Sequence, residues 1–234
     1  MVCLEFYVGT SGWFYPWNEK RNLEWYVTNS GLNAVELNAS FYRFPFASMV
    51  KSWSIKGQGL RWSVKVNRFV THTFKFGERA FQSWEKFRNL FAPLEANIDF
   101  FLFQLPPSLT LKSASRIEKF FEETELGRRF ALEVRNLKWF NDEYVKWASR
   151  LGITWVSVDS PDFPLDVFNT SGVVYVRMHG RTAWYAHLYS VEELKEVAER
   201  ILRAKPEKAY VFFNNDHAML KNARKMLSIL KKFK

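Results

Sequence analysis

A single cysteine, Cys3, occurs in 234 residues. No internal disulfide can form and no cysteine metal cluster can be built, so a reducing compartment is expected. Cys3 precedes the first strand, at the end opposite any C-terminal mouth, and is no candidate nucleophile. Histidine is also scarce: the four, His72, His179, His187 and His217, form no His-Glu-x-x-His or other compact metal motif. Apolar runs such as "FFLF" are far too short to span a bilayer, and the opening "MVCLEFYVG" has no basic segment followed by a long apolar one. A cytoplasmic protein with no membrane partner is expected. Linkers, low-complexity segments and repeats of 20–50 residues are missing as well, which leaves one domain, residues 1–234. A monomer is expected.

Hydrophobic residues make up 47% of the chain, with 23 Phe and 10 Trp, which excludes disorder and predicts a large aromatic core. The net charge of +10 and a pI near 9.6 favour polyanionic partners such as nucleic acid or phosphorylated metabolites. Lys and Arg are scattered, so a solvated basic surface accounts for the same excess.

Short apolar runs predict eight strands, at 5–9, 34–37, 61–66, 99–104, 130–134, 153–158, 173–178 and 209–213. Between and after them lie helical patterns near 22–30, 46–56, 78–92, 113–124, 141–150, a short one near 163–169, then 190–204 and 216–232. "SVEELKEVAERILRA" is the clearest, with Ser190 as N-cap and Glu193 as its capping-box partner. Eight strands alternating with helices predict an α/β fold, a closed (β/α)8 TIM barrel.

Polar residues recur two apart at the strand ends: Glu36 and Asn38, Lys65 and Asn67, Glu133 and Arg135, Ser157 and Asp159, Arg177 and His179, Asn214 and Asp216, with Gln104 alone. Residues two apart on a strand share a face. Charged groups aimed at the helix layer would lack partners, so all six pairs are expected to point at the barrel axis near its C-terminal mouth, where barrels of this kind bind ligands. The alternative is an ion-pair plug, Glu36 with Lys65 and Glu133 with Arg177 or Arg135.

The strings "VGTSGW" (8–13), "VELNASFYRFP" (35–45), "FQLPPSL" (103–109), "ALEVRN" (131–136), "VYVRMHG" (174–180) and "FFNNDHA" (212–218) resemble, in this order and spacing, the YecE-like family, known as domain of unknown function 72. The resemblance runs from about residue 6 to 226 and implies a TIM barrel distantly similar to the superfamily of sugar isomerases and an apurinic endonuclease. It supplies no reaction. The residues it marks are Gly9, Thr10, Ser11, Gly12, Trp13, Glu36, Asn38, Phe41, Tyr42, His72, Gln104, Glu133, Arg135, Asp159, Arg177, His179, Gly180, Asn214, Asn215 and Asp216. The first loop, "FYPWNEKRN", is shorter than the family's usual one.

Several chemistries fit these residues. Glu36, Glu133, Asp159 and Asp216 with the histidines offer ligands for a divalent metal, or histidines that simply bond neighbouring carboxylates. Glu36 and Glu133 are a candidate carboxylate pair for glycoside cleavage or proton transfer. Backbone N–H groups of "GTSG" are a candidate phosphate contact, although no P-loop Lys follows. Lys65, Arg135 and Arg177 aimed at one mouth suit a phosphate or carboxylate. Trp13, Phe14, Tyr15, Trp17, Trp184, Tyr185 and Tyr189 are candidates for stacking a sugar or base, or for packing.

The leading expectation is an enzyme whose mouth binds a phosphate-bearing small molecule or nucleic acid, with metal-assisted phosphoester hydrolysis in view. Lys65, Arg135 and Arg177 hold the anion; Glu36, Glu133, Asp159, His179 and Asp216 supply acid–base groups; and Thr10, Ser11, Trp13, Asn38, Tyr42, His72, Gln104, Asn214 and Asn215 contact the ligand. The rivals are a carbohydrate-active isomerase or glycosidase, and a non-catalytic nucleic-acid binder using Lys221, Arg224, Lys225, Lys231 and Lys232.

Overall fold

The structure, a computed structural model, describes residues 4–233; Cys3 lies outside them. Eight parallel strands follow one another around a single sheet: β1 (Glu5–Thr10), β2 (Ala34–Leu37), β3 (Arg61–Lys65), β4 (Ile98–Gln104), β5 (Phe130–Glu133), β6 (Thr154–Asp159), β7 (Val173–Met178) and β8 (Lys208–Phe213). The ladder runs β1-β8-β7-β6-β5-β4-β3-β2. The helices are α1 (Leu23–Asn29), α2 (Ala47–Lys56), α3 (Glu78–Leu90), α4 (Ala114–Thr124), α5 (Asp142–Leu151), α6 (Val191–Arg203) and α7 (Met219–Leu230). Among the described residues the molecule is a (β/α)8 barrel lacking one α-helix. The capping box of α6 forms as expected, Ser190 and Glu193 each satisfying the other's backbone N–H. Among the described residues no helix is long and apolar enough to cross a membrane.

Side chains join the two ends of the ladder. Asn33 donates to Phe6 O (2.8 Å) and accepts from Val8 N (2.8 Å), while the Tyr26 hydroxyl accepts from Thr10 N and donates to Ala34 O (2.8 Å). Gly9 makes that approach possible, because a methyl group there would lie 2.3 Å from Ala34 O.

The expected helix near 163–169 is absent; the chain from β6 to β7 has neither helix nor strand. Pro161 precedes this stretch and Pro164 falls in its first turn, where a helix tolerates proline, so the prolines alone do not exclude a helix. The segment instead bonds to β6. Phe168 N donates to Ser157 Oγ (2.9 Å), and the Thr170 hydroxyl accepts from Trp155 N and donates to Ile153 O. Phe140 and Phe168 pack on Trp155, covering the face a helix would have covered.

Two apolar layers result. The outer one, between strands and helices, is dense with aromatics such as Trp84, Phe87, Phe101, Phe103, Phe120 and Phe130. The inner one fills the barrel with Phe100, Leu102, Val156, Val158, Tyr175, Tyr210 and Phe212.

Candidate functional site

Strand parity decides which polar residues reach the axis. Val35 and Leu37 belong to the outer layer and Ala34 to the inner, so Glu36 and Asn38 point inward. The same reasoning sends Lys65, Glu133, Arg135, Arg177, His179 and Asn214 inward, beyond the apolar plug. On β6 it gives the opposite answer: Val156 and Val158 occupy the axis, so Ser157 and Asp159 face the helix layer. The expected inward direction of that pair is incorrect. Asp159 has partners there, accepting from the Tyr189 hydroxyl (2.7 Å) and pairing with Arg181 (3.1 Å), which also pairs with Glu196 of α6. Tyr189 is therefore a buried support for Asp159, not a stacking surface.

Arg177 is the centre of the inward cluster, and only 1% of it is exposed. Its Nε and Nη2 donate to the two oxygens of Glu36 (2.9 and 2.6 Å), Nη1 donates to Glu133 (2.5 Å), and Nη2 also lies 3.4 Å from Asn38 Oδ1. Glu36 accepts in addition from Ser11 Oγ (2.6 Å) and from the Tyr175 hydroxyl (2.6 Å), which also reaches Ser63 (2.8 Å). Every oxygen of Glu36 is doubly engaged and none is exposed, so it holds Arg177 in place. Glu133, also fully buried, bridges Arg177 and Arg135. Burial would raise its pKa; Arg135 and then Arg177 overcome that and hold it well below the usual carboxylate range. Burial likewise opposes the charge on Arg177, but Glu133 and Glu36 hold its pKa above the usual value.

Arg135 closes the top of this network. Its Nη2 donates to His179 Nε2 (3.3 Å), and its guanidinium lies 4.9 Å from the Trp184 ring centre. His179 is buried, with its Nδ1 3.3 Å from the Asn214 carboxamide. Burial first, then Arg177 and Arg135, push its pKa well below the ordinary value, so it is a neutral acceptor of the guanidinium proton. Lys65 stands apart: no carboxylate lies within ion-pair distance among the described residues, and its ammonium sits 4.3 Å from the Phe41 ring centre. Burial and then Arg177 push its pKa down to about 7. His72, half-buried on a short π-helix (Phe69–Thr73) after β3, packs edge-on against Phe41 at 5.0 Å and bonds Thr71. Burial, then Lys65, lower its pKa to about 4.

The remaining candidates divide. Gln104, register partner of Glu133, stands half-buried at the end of β4. Asp216 is exposed on the short turn after β8, close enough to Tyr15 to add to the burial that raises the Tyr15 pKa. Thr10 and Asn215 serve the scaffold. Thr10 Oγ1 donates to Gly12 O, and Asn215 ties His187 O to Asn222. The "GTSG" amides are engaged as well, Thr10 N with Tyr26, Ser11 N with Phe213 O and Gly12 N with Thr10 O, so that turn offers no open anion cradle. Among the described residues no three His, Cys, Asp or Glu side chains converge to hold a metal ion. Glu36 and Glu133 are turned to guanidinium groups, so the donor set does not fit a metal.

Beside the polar cluster, a cavity of about 550 Å³ opens between the loops after β1 and β2. Ser11 and Asn38 form its border with the Glu36–Arg177 pair, and Trp13, Tyr15, Tyr42, Phe44, Phe46 and Arg43 line it. Trp13 and Tyr42 were legible as candidates; Arg43, Phe44 and Phe46 were not, although "YRFPF" places them directly after a marked residue. Tyr175 was also missed, and its spacing of two from Arg177 is the signal that puts it on the inward face. Arg224 donates to Asn29 O (2.6 Å) and Ser30 O (2.8 Å) at the end of α1.

The family model described as "Protein of unknown function DUF72" matches residues 7–234. A DUF72 family protein from Thermotoga maritima has a crystal structure that superposes with a TM-score of 0.82 at 30% identity, covering 98% of this chain and 99% of that one. A DUF72 family protein from Enterococcus faecalis gives a TM-score of 0.81 at 20% identity, over 98% and 96% of the two chains. A methyltransferase from Methanosarcina mazei shares only the fold, with a TM-score of 0.54 and 12% identity over 97% and 94%. No curated protein matches the chain.

Proposed function

Because the chain belongs to the DUF72 family, whose description gives no reaction, we propose from its own mouth that it binds a phosphate-bearing small molecule there. The charge count carries this reading. The buried carboxylates Glu36 and Glu133 are already matched by Arg177 and Arg135, and Lys65 is a further basic group with no carboxylate of its own. Arg43 on the cavity wall and Arg68 on the loop after β3 are exposed, with no ion pair among the described residues. An anion is the partner this arrangement lacks. Arg135 meets the phosphate from below and Arg43 from the wall, while the aromatic cavity, within the size range of small-molecule sites, takes the rest of the ligand.

Neutral sugars would leave the excess charge unmatched, and metal-assisted hydrolysis would need converging ligands that the described residues do not provide. Calorimetric titration with ribose 5-phosphate and with ribose tests the reading. Ribose 5-phosphate should bind and ribose should not. Arg135→Gln should weaken binding by about tenfold or more, the scale of one charged hydrogen bond. Arg43→Ala, on the surface, should weaken it without threatening the fold, and Lys221→Ala should change nothing. Equal binding of ribose would overturn the proposal in favour of a carbohydrate site.

A further inference from the structure

Each buried guanidinium in the mouth faces a carboxylate, and the one buried amine does not. Lys65 ends β3 on the inward face, with 8% of its surface exposed. Among the described residues its Nζ has neither an ion-pair partner nor a hydrogen-bond acceptor, only the face of Phe41, itself flanked edge-on by Tyr42 and His72. A cation kept for structure would be expected to have a carboxylate, and Glu36 and Glu133 are instead turned to Arg177 and Arg135. Burial and the neighbouring Arg177 charge favour the uncharged amine, with a pKa of about 7, so the free base is populated at neutral pH.

We infer that Lys65 is an amine nucleophile that forms an imine with the carbonyl group of a phosphate-bearing aldehyde or ketone bound at the mouth. The phosphate part of this inference rests on the binding reading above. The amine nitrogen attacks the carbonyl carbon to give a carbinolamine. Loss of water then forms the C=N bond, the two amine hydrogens leaving with the carbonyl oxygen, so no oxidant or reductant is consumed. Protonated, the imine draws electrons from the adjacent carbon, the basis of cleaving a C–H or C–C bond beside a carbonyl.

Reductive trapping tests this. The whole protein at pH 7 is treated with glyceraldehyde 3-phosphate, and separately with uncharged glycolaldehyde, in the presence of cyanoborohydride, and the modified lysines are mapped by peptide mass spectrometry. Lys65 should be alkylated about tenfold or more faster than surface lysines such as Lys20, Lys51 and Lys112, because almost all of an ordinary lysine is protonated at this pH. Lys65→Arg, checked for folding by circular dichroism, should lose the fast adduct. If Lys65 reacts no faster than those surface lysines while ribose 5-phosphate still binds, the imine is overturned and the binding reading stands. If Lys65 reacts fast and equally with both aldehydes, and inorganic phosphate does not protect it, the imine is supported and the phosphate reading fails.

Discussion

Arg177 keeps a full charge with almost no exposed surface because two carboxylates supply the donors' partners that water would otherwise supply. Replacing it with Met leaves Glu36 and Glu133 buried without compensation, and Arg177→Met should cost about 3–5 kcal/mol, read from the denaturant midpoint. Lys65 acts in the opposite sense. Its pKa is about 7 in the folded protein against an ordinary value of 10.5, so the unfolded chain holds the proton more tightly. Stability contributed at this position is therefore lowest below pH 7 and recovers as pH rises from about 7 to 10.5. Lys65→Met should be more stable than the parent at pH 6, and that advantage should shrink steadily toward pH 10. An advantage independent of pH would show that the buried amine is not desolvated as described.

At the scale of elements, the barrel depends on a seam made by side chains. Gly9→Ala would press a methyl group against Ala34 O, a backbone atom that cannot step aside, and should destabilise the protein by about 3 kcal/mol or more in thermal or denaturant unfolding. All eight strands were legible because each is a short apolar run bounded by polar or turn residues, and seven helices followed from their apolar spacing and caps. The stretch 163–169 was not, because Phe163, Leu165, Val167 and Phe168 mimic helical spacing while the segment's backbone and Thr170 bond to β6 and its approach instead. The direction of β6 was hidden for a different reason. In "TWVSVD" both faces have apolar members, and Asp159 is drawn outward by Arg181 and Tyr189, which lie 22 and 30 residues further along. Five of the six polar pairs send at least one member to the axis, as alternation predicts. The missing information was long-range partnership: that Glu36 would pair with Arg177 across the barrel instead of with Lys65.

Over the whole molecule the net charge of +10 says only that anions are attracted; it does not say where. The fold separates two basic regions. The face of α7 has Lys221 and Lys225 beside Trp17, but its Arg224 is held by the end of α1. The mouth has its cations beside a cavity, with the buried carboxylates already matched. Binding of a phosphomonoester at the mouth should weaken only modestly with added salt, as expected for a few partly buried contacts, whereas a strand of nucleic acid laid across the α7 face would lose affinity steeply. The most direct measurement is a crystal structure of the protein with ribose 5-phosphate. The account predicts the phosphate within hydrogen-bond reach of Arg135 and Arg43, with the sugar against Trp13 and Tyr42. A phosphate seated instead beside Lys221 and Lys225, with the mouth still closed over Arg177, would contradict it.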